Sequence, residues 1–316
     1  LEKLRQILPY AARRSPFYRR QLSGYATAAL SGFADFAEVP FTTAEDLARD
    51  PLEFLCVSQA DVARVVTLRS SGSTGRPKRI FFDPEDLEQT VEFFHHGMST
   101  LVHPGDRVLI LMPGGLPGSI GELLVEGLAH MNVEGIVHGP VQDPEHAIDE
   151  ILSLRPQCLV GIPVQVIALV RHPQSGRIPP GLVRSVLLST DYVPAAIVAD
   201  IQRTWDARVY QHYGMTEMGY GGGVECDAYD GYHLREADLF MEIVDPATGR
   251  ALPDGVSGEV VVTTLTRRAM PLIRYRTGDL ARLLPDYCPC GSMLRRLGKV
   301  QGRLTNAARL GALTHL

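Results

Sequence analysis

A loop rich in glycine and hydroxyl side chains is the first part of this sequence that could do chemistry. The run SSGSTGRPK, residues 70–78, places two glycines, several hydroxyls and Lys78 at the end of an apolar segment. Glycines let backbone amides converge on an anion, hydroxyls add donors, and lysine adds charge, a combination typical of a phosphate site. The loop is not a Walker loop, because Arg76 and Pro77 separate Gly75 from Lys78 and no Ser or Thr follows the lysine. From composition alone, a solvated hairpin loop is the alternative.

Apolar runs on both sides of the loop predict the elements that position it. VARVVTL and RIFF predict flanking strands. A helix is predicted from Asp83 and Pro84, with an apolar face formed by Leu87, Val91, Phe94, Met98 and Leu101. From RVLILM to ARVYQHY, strand-like and helix-like segments alternate, which indicates parallel sheets flanked by helices. Beyond Tyr232, FMEIV and GEVVVTTLT indicate a smaller antiparallel β lobe, so the predicted fold class is α/β.

Composition excludes several classes of protein. The 316 residues can bury a sizeable core, and 21% charged residues with a net charge of −5 argue against a nucleic-acid surface. No apolar run reaches the roughly 18 residues that cross a bilayer. Five cysteines in a sequence without a signal peptide favour reduced thiols. We therefore expect a cytoplasmic protein, with neither nucleic acid nor membrane as a partner.

Four segments resemble, in order and spacing, the motifs of adenylate-forming enzymes, which include acyl-CoA synthetases, aryl acid ligases and adenylation domains. They are SSGSTGRPK at 70–78, HYGMTEMG at 212–219, RYRTGDL at 274–280 and GKVQGR at 298–303. PFTTAEDL, GEVVVTTLTRRAMPLIRYRTGDL and CPCG resemble the phenylacetate-CoA ligase group in particular. The resemblance covers nearly the whole chain and implies the large N-terminal domain of these enzymes over residues 1–302.

The resemblance implies a role for each motif residue. The β- and γ-phosphates of ATP would be held by Ser71, Gly72, Ser73, Thr74, Gly75 and Lys78. Adenine would be contacted by Ser189, Thr190, Asp191 and Tyr213, and the ribose by Asp279 and Arg303. Thr216 would face the α-phosphate and Glu217 would hold Mg²⁺, which makes Lys78, Thr216 and Glu217 the implied catalytic residues. Considered alone, Glu217 is as often a surface carboxylate as a metal ligand, and Asp279 could be an ordinary turn residue. Only the joint spacing of the two residues favours a role in the site.

These roles imply ATP-dependent activation of an aromatic carboxylic acid as its acyl-adenylate, with release of pyrophosphate. A carboxylate that attacks the α-phosphate meets an anion, so the enzyme must neutralise the triphosphate and align the reacting groups. Mg²⁺ and the loop donors can do this without a protein nucleophile, so we expect no catalytic cysteine. A catalytically degenerate nucleotide-binding protein is the alternative, which the presence of Lys78, Glu217 and Asp279 disfavours.

The acyl pocket is the least defined part of the site. Gly214 and Met215 would border it, and His138, Gly139 and His212 are further candidates. A buried His138 is more often a satisfied core histidine than a substrate ligand. A polar histidine in the pocket would suit a hydroxy- or amino-substituted benzoate better than phenylacetate.

The C-terminal end departs from the family pattern. Relatives usually read GRxDD after the hinge glycine, whereas GRLTN stands at 302–306. Residues 303–316 are interpreted as the hinge and the start of a truncated, absent or disordered lid. This favours adenylate formation over thioester formation, with an amine, CoA or a carrier protein as acceptor. The alternative is an aryl-CoA ligase whose mobile C-terminal domain is not in this chain, and a homodimer is left open.

Cysteine and histidine late in the chain suggest a second metal. Cys226, His233, Cys288 and Cys290 make a Cys₃His set that suits a structural, tetrahedral zinc. The single residue between the last two cysteines is fewer than is usual, and buried thiols with a capping histidine are the alternative. Resemblance to the phenylacetate-CoA ligase group at all four positions favours zinc. Cys56 and Cys158 lie in apolar runs and are expected to be core residues.

Overall fold

The computed structural model describes residues 1–25, 30–68 and 77–304. Its helices are α1 Glu2–Arg14, α2 Pro16–Gln21, α3 Phe33–Ala37, α4 Ala44–Arg49, α5 Pro84–Met98, α6 Ile120–Ala129, α7 Pro144–Leu154, α8 Pro163–Arg171 and α9 Ala195–Trp205. Its strands are β1 Arg64–Leu68, β2 Lys78–Phe82, β3 Arg107–Leu111, β4 Glu134–Val137, β5 Cys158–Gly161, β6 Ser185–Leu188, β7 Arg208–Tyr213, β8 Gly223–Val224, β9 Tyr232–Leu234, β10 Leu239–Val244, β11 Gly258–Thr264, β12 Tyr275–Ala281, β13 Leu283–Leu284, β14 Arg296–Leu297 and β15 Gly302–Arg303. The chain divides into two compact units: the first comprises 1–86, 216–218 and the part from 234 onward, and the second comprises 87–215 and 219–233.

A mainly parallel sheet forms the centre of the second unit. Its strands lie in the order β8-β7-β6-β5-β3-β4, and neighbours are parallel except β8, which is antiparallel to β7. β5 and β6 are buried along their whole length, as expected for strands covered on both faces. β4 and β5 lie on opposite sides of β3, and such a reversal of strand order opens a crevice at the carboxyl ends of the strands.

Alternate residues of β3 pack on opposite faces of this sheet. Leu109 and Leu111 belong to the core that includes apolar residues of α7, α8 and α9. Val108 and Ile110 belong to the core that includes residues of α5 and α6. The two-residue period of a strand therefore gives each face its own layer of helices. The predicted α/β class is confirmed.

The helix start predicted at Asp83 is confirmed by its cap, and α4 also begins with a cap. Asp83 Oδ1 accepts a hydrogen bond from Asp86 N at 2.8 Å, ahead of the first turn of α5. Thr43 forms a capping box with Asp46 at the start of α4, its hydroxyl accepting from Asp46 N at 3.2 Å. On the predicted apolar face of α5, Val91, Phe94 and Met98 are buried.

An antiparallel sheet, ordered β10-β11-β12-β15, forms much of the first unit and confirms the predicted β lobe. β1 and β2 form a separate antiparallel pair on either side of the predicted phosphate loop. Arg274, immediately before β12, is 1% exposed. Its guanidinium donates to the Glu242 carboxylate at 3.1 Å and to Val39 O at 2.7 Å. This buried arginine ties the N-terminal segment to the sheet that carries part of the site.

Within these described ranges, no helix is both long enough and apolar enough to span a membrane. The predicted division into residues 1–302 and 303–316 stays a prediction, since the described part ends at residue 304.

Candidate functional site

Lys78, Glu217 and Tyr275 form a buried polar group in the first unit. Lys78 Nζ donates to Glu217 Oε1 in an ion pair, and the Tyr275 hydroxyl lies 3.3 Å from Nζ and 3.2 Å from the same carboxylate oxygen. The Glu217 side chain is 3% exposed and that of Lys78 is 18% exposed. Burial and then the charge of Glu217 raise the pKa of Tyr275, so its hydroxyl keeps its proton and donates. Two residues predicted to be catalytic, 139 positions apart in sequence, are thus in contact.

Arg267 holds the turn that carries Glu217. Its guanidinium donates to Glu217 O at 3.1 Å and to Phe81 O at 2.7 Å, so it links the short 3₁₀ turn Thr216–Met218 to β2. The guanidinium also lies 4.4 Å from the centre of the Phe82 ring. Thr216 is half-buried in this turn. Neither Arg267 nor Tyr275 is among the predicted site residues, although both stand inside the GEVVVTTLTRRAMPLIRYRTGDL segment and could have been found there.

Asp279 and Arg303, the two predicted ribose contacts, form an ion pair. They are directly opposite in the β12–β15 register, and Arg303 Nε donates to Asp279 Oδ1 at 2.7 Å. The Asp279 side chain is 5% exposed and that of Arg303 is 57% exposed. Gly278 adopts a φ of 78°, a conformation that favours glycine, and Asp279 N donates to Thr277 Oγ1 at 3.0 Å. The TGD segment therefore holds its carboxylate by a tight local turn within the strand.

The structure describes the two strands that flank the predicted phosphate loop. β1 ends at Leu68 and β2 begins at Lys78, and these two residues are paired in register. Ser71, Gly72, Ser73, Thr74 and Gly75 lie outside the described residues. Mg²⁺ usually takes one or two carboxylates and completes its shell with phosphate and water oxygens. The buried carboxylate of Glu217, in contact with the first residue of β2, fits that requirement.

A mainly apolar cavity lies at the carboxyl ends of the parallel strands in the second unit. Its empty space, including the part open to solvent, is about 430 Å³. Strand residues and residues just beyond strand ends contribute Met112, Val160, Leu187, Ser189 and His212 to its lining. Helix α5 contributes one face to the lining. Gly97 on that face keeps space open, because a Cβ at this position would lie only 3.1 Å from the Val224 side chain.

His212 and Ser189 are the polar residues of this cavity. His212 Nδ1 and Ser189 Oγ are 2.8 Å apart, while His212 Nε2 is buried and has no hydrogen-bond partner among the described residues. Burial lowers the pKa of His212 to about 4, so the imidazole is neutral at physiological pH. The predicted substrate residue His212 thus lines a pocket and presents an unsatisfied nitrogen.

The other predicted adenine and acyl residues adjoin His212 in sequence. Tyr213 is buried with its ring 5.9 Å from that of Tyr232, and Met215 is half-buried. A Cβ on Gly214 would lie 2.7 Å from both His212 Cε1 and Tyr220 O, so this position requires glycine. Beyond the end of β6, the next two predicted adenine contacts, Thr190 and Asp191, are exposed.

His138 and Gly139 lie at the end of β4, away from the cavity lining. His138 Nδ1 pairs with Glu150 of α7, and the His138 side chain is 8% exposed. His138 N and Gly139 N both lie close to Ile110 O, at 3.0 and 3.1 Å. Neither residue is among those that line the cavity. A substrate role for these two residues stays a prediction, and the geometry favours the satisfied core histidine.

The predicted zinc ligands lie on tight turns. Within CPCG, Gly291 adopts a φ of 85° and its amide donates to Cys288 O at 3.0 Å. Ala228 N lies 3.4 Å from Cys226 Sγ, so a backbone amide faces that sulfur. Amides that face a sulfur stabilise a thiolate, which is the form that binds metal. His233 is half-buried, and the residue types and turns at these positions are of the kind that zinc ligands require.

Cys56 and Cys158 are core residues, as predicted. Both are buried, and burial raises the pKa of each thiol to about 12. We expect iodoacetamide at about pH 8 to leave both unmodified in native protein and to alkylate both in urea, because the thiolate is the reactive form. Peptide mass spectrometry reads the result, and equal labelling of either thiol in the two conditions would contradict the assignment.

Comparisons with known proteins agree with this geometry. A family model described as AMP-binding enzyme matches residues 41–266. The chain is 32% identical over 317 residues to a phenylacetate-coenzyme A ligase of Aromatoleum evansii, covering 96% of this chain and 69% of the relative. It is 31% identical over 316 residues to the phenylacetate-coenzyme A ligase of Thermus thermophilus, with the same coverage.

Solved structures share the fold. A crystal structure of 2-hydroxyisobutyryl-CoA ligase in an open conformation, in complex with 2-HIB-AMP and CoA, superposes with a TM-score of 0.86 at 23% identity. That match covers 96% of this chain and 68% of the other. A second structure of that ligase with the same ligands, in the thioesterification state, gives a TM-score of 0.86 at 25% identity, with 96% of this chain and 67% of the other covered.

Proposed function

Because this chain belongs to the AMP-binding enzymes, we propose that it activates an aromatic carboxylic acid by joining it to the α-phosphate of ATP, with release of pyrophosphate. The observation that carries the proposal is the contact of Lys78 with Glu217 in the first unit, which places a cation and a carboxylate beside the end of the predicted phosphate loop. Phenylacetate-coenzyme A ligases as relatives support an aromatic acid as the substrate.

In this reaction a carboxylate oxygen of the acid attacks the α-phosphorus, and the bond from that phosphorus to the pyrophosphate oxygen breaks. Lys78 offsets the negative charge of the phosphates, and Tyr275 and Arg267 keep the lysine and the Glu217 turn in place. Glu217 would hold Mg²⁺, which would supply further charge neutralisation when bound. Thr216 lies in the same turn and would donate to the α-phosphate.

The remaining nucleotide contacts are proposed from the same motifs. Ser71, Gly72, Ser73, Thr74 and Gly75 would bind the terminal phosphates through their amides and hydroxyls. Thr190, Asp191 and Tyr213 would bind adenine; Ser189 is predicted with them, but its hydroxyl lies 2.8 Å from His212 Nδ1 in the cavity. Asp279 would accept from the ribose hydroxyls, with Arg303 holding its carboxylate. The Asp279–Arg303 ion pair supports this last assignment, because it fixes the orientation of a nearly buried carboxylate.

CoA is the acceptor that the comparisons favour for a second step. The relatives are named as coenzyme A ligases, and this chain spans 69% of their length. In that step the thiol of CoA would attack the acyl carbon and release AMP. An amine or a carrier protein would react by the same chemistry, so mass spectrometry of the product formed with each acceptor distinguishes them. A thioester with CoA, and no product with the amine or the carrier protein, supports the assignment as a CoA ligase.

We also propose that Cys226, His233, Cys288 and Cys290 bind one structural zinc. Each offers one ligand atom, a sulfur or an imidazole nitrogen. Four such donors leave no open position for catalysis.

Acid-dependent exchange of pyrophosphate into ATP tests the adenylation proposal. With phenylacetate, benzoate and their hydroxylated or aminated forms, we expect exchange that requires both Mg²⁺ and the acid. ATP and pyrophosphate without acid are the control. Exchange that proceeds without acid, or with none of these acids, would contradict the proposal.

A further inference from the structure

The cavity of the second unit combines apolar walls with one unsatisfied polar atom. Phe93, Phe94, Leu124 and Val160 are among the lining residues, and none of the described lining residues carries a charge at neutral pH. His212 Nε2 is buried without a hydrogen-bond partner among the described residues. A buried polar group without a partner costs free energy, so a ligand that bonds to it is favoured over one that does not.

The neighbouring serine determines what kind of group can bond to this nitrogen. His212 Nδ1 lies 2.8 Å from Ser189 Oγ, and that hydroxyl can either donate or accept. If Nδ1 carries the proton, Nε2 accepts; if Nδ1 accepts from the serine, Nε2 donates. A ligand hydroxyl satisfies both tautomers, because it is itself donor and acceptor. A charged substituent is disfavoured, since the apolar walls offer it no counter-ion.

We propose that His212, supported by Ser189, selects a single-ring aromatic acid that carries one neutral hydroxyl over the same acid without it. This inference rests on the proposed adenylation, and it adds the class of substrate. The apolar walls suit the ring of the acid, and the hydroxyl would bond to His212 Nε2. An uncharged amino group is the next best partner, because it can donate to Nε2.

The test compares matched acids in pyrophosphate exchange. Benzoate and phenylacetate are each measured beside their three ring-hydroxylated isomers. We expect kcat/KM for one hydroxylated isomer to exceed that of its parent by about 10- to 100-fold, the usual penalty of an unpaired buried group. In His212→Leu this preference should disappear, and His212→Gln, whose amide can reach the position of Nε2, should restore part of it. Parent acids that equal or exceed every hydroxylated isomer in the wild type would overturn the proposal.

Two further readouts separate this inference from the function on which it rests. Calorimetric binding of the same acids tests the preference even if no acid supports exchange. Absence of exchange would count against adenylation but not against the preference. Because His212 is neutral, the preference should stay constant from about pH 6 to about pH 8. Ser189→Ala should weaken the preference, since it removes the partner that fixes the imidazole. Equal binding of parent and hydroxylated acids to the wild type and to His212→Leu would overturn the proposal.

Discussion

Replacing Lys78 by alanine is expected to lower kcat/KM for pyrophosphate exchange by about 10²-fold or more, the usual loss for one electrostatic contact to a transferring group. Lys78 is held by Glu217 and Tyr275, so its ammonium is already ordered before substrate binds. Arg79→Ala is the matched control, because it removes an exposed cation from the next position of β2. It should change the exchange rate little.

The Lys78–Glu217 pair also allows structural and catalytic roles to be separated. Lys78→Ala leaves a buried carboxylate without its cation, which we expect to cost up to about 3 kcal/mol of unfolding free energy. Glu217→Gln should lower exchange by about 10²-fold as well, because it removes the proposed Mg²⁺ ligand. The double variant, Lys78→Ala with Glu217→Gln, should recover stability but not activity. Exchange that survives in both single variants would remove these residues from the mechanism.

Elemental analysis of the purified protein is expected to show about one zinc per chain, bound by three thiolates and one imidazole. Cys288→Ser and Cys290→Ser should each lose most of the zinc, together with a lower melting temperature, because a structural metal contributes directly to folding free energy. Removal of zinc by a chelator should lower the wild-type melting temperature in the same way.

Cys158→Ala is the control for the zinc prediction. Cys158 is fully buried in the core of the second unit, so its loss should lower stability while zinc content stays at the wild-type level. A protein that contains no zinc as purified, or whose zinc content is unchanged in Cys288→Ser and Cys290→Ser, would exclude the site.

Elements with strong periodicity could be predicted from the sequence. The apolar face of α5 and its cap at Asp83 follow from the local spacing of residue types, and the structure confirms them. The alternation from β3 to β7 likewise predicted a covered parallel sheet. These features depend on short-range patterns, which a sequence displays directly.

Contacts between distant segments were only partly predictable. The motifs identified Lys78 and Glu217 separately, but not their ion pair across 139 positions or the role of Tyr275 beside them. Arg267 lies inside the GEVVVTTLTRRAMPLIRYRTGDL segment, but its bonds to backbone oxygens could not be predicted, because such bonds leave no trace in residue type. The pairing of His212 with Ser189 depends on the register of β6 and β7, which tertiary packing decides.

Transfer of oxygen from acid to AMP is the most direct test of the proposed activity. The acid is prepared with a heavy oxygen isotope in its carboxylate and incubated with ATP, Mg²⁺ and hydroxylamine, which removes the acyl group at its carbonyl carbon. If the carboxylate attacks the α-phosphorus, its oxygen stays on that phosphorus. Mass spectrometry should then find one heavy oxygen in each AMP released, together with an unlabelled pyrophosphate. AMP without the heavy isotope, or AMP formed at the same rate without acid, would contradict adenylation by this enzyme.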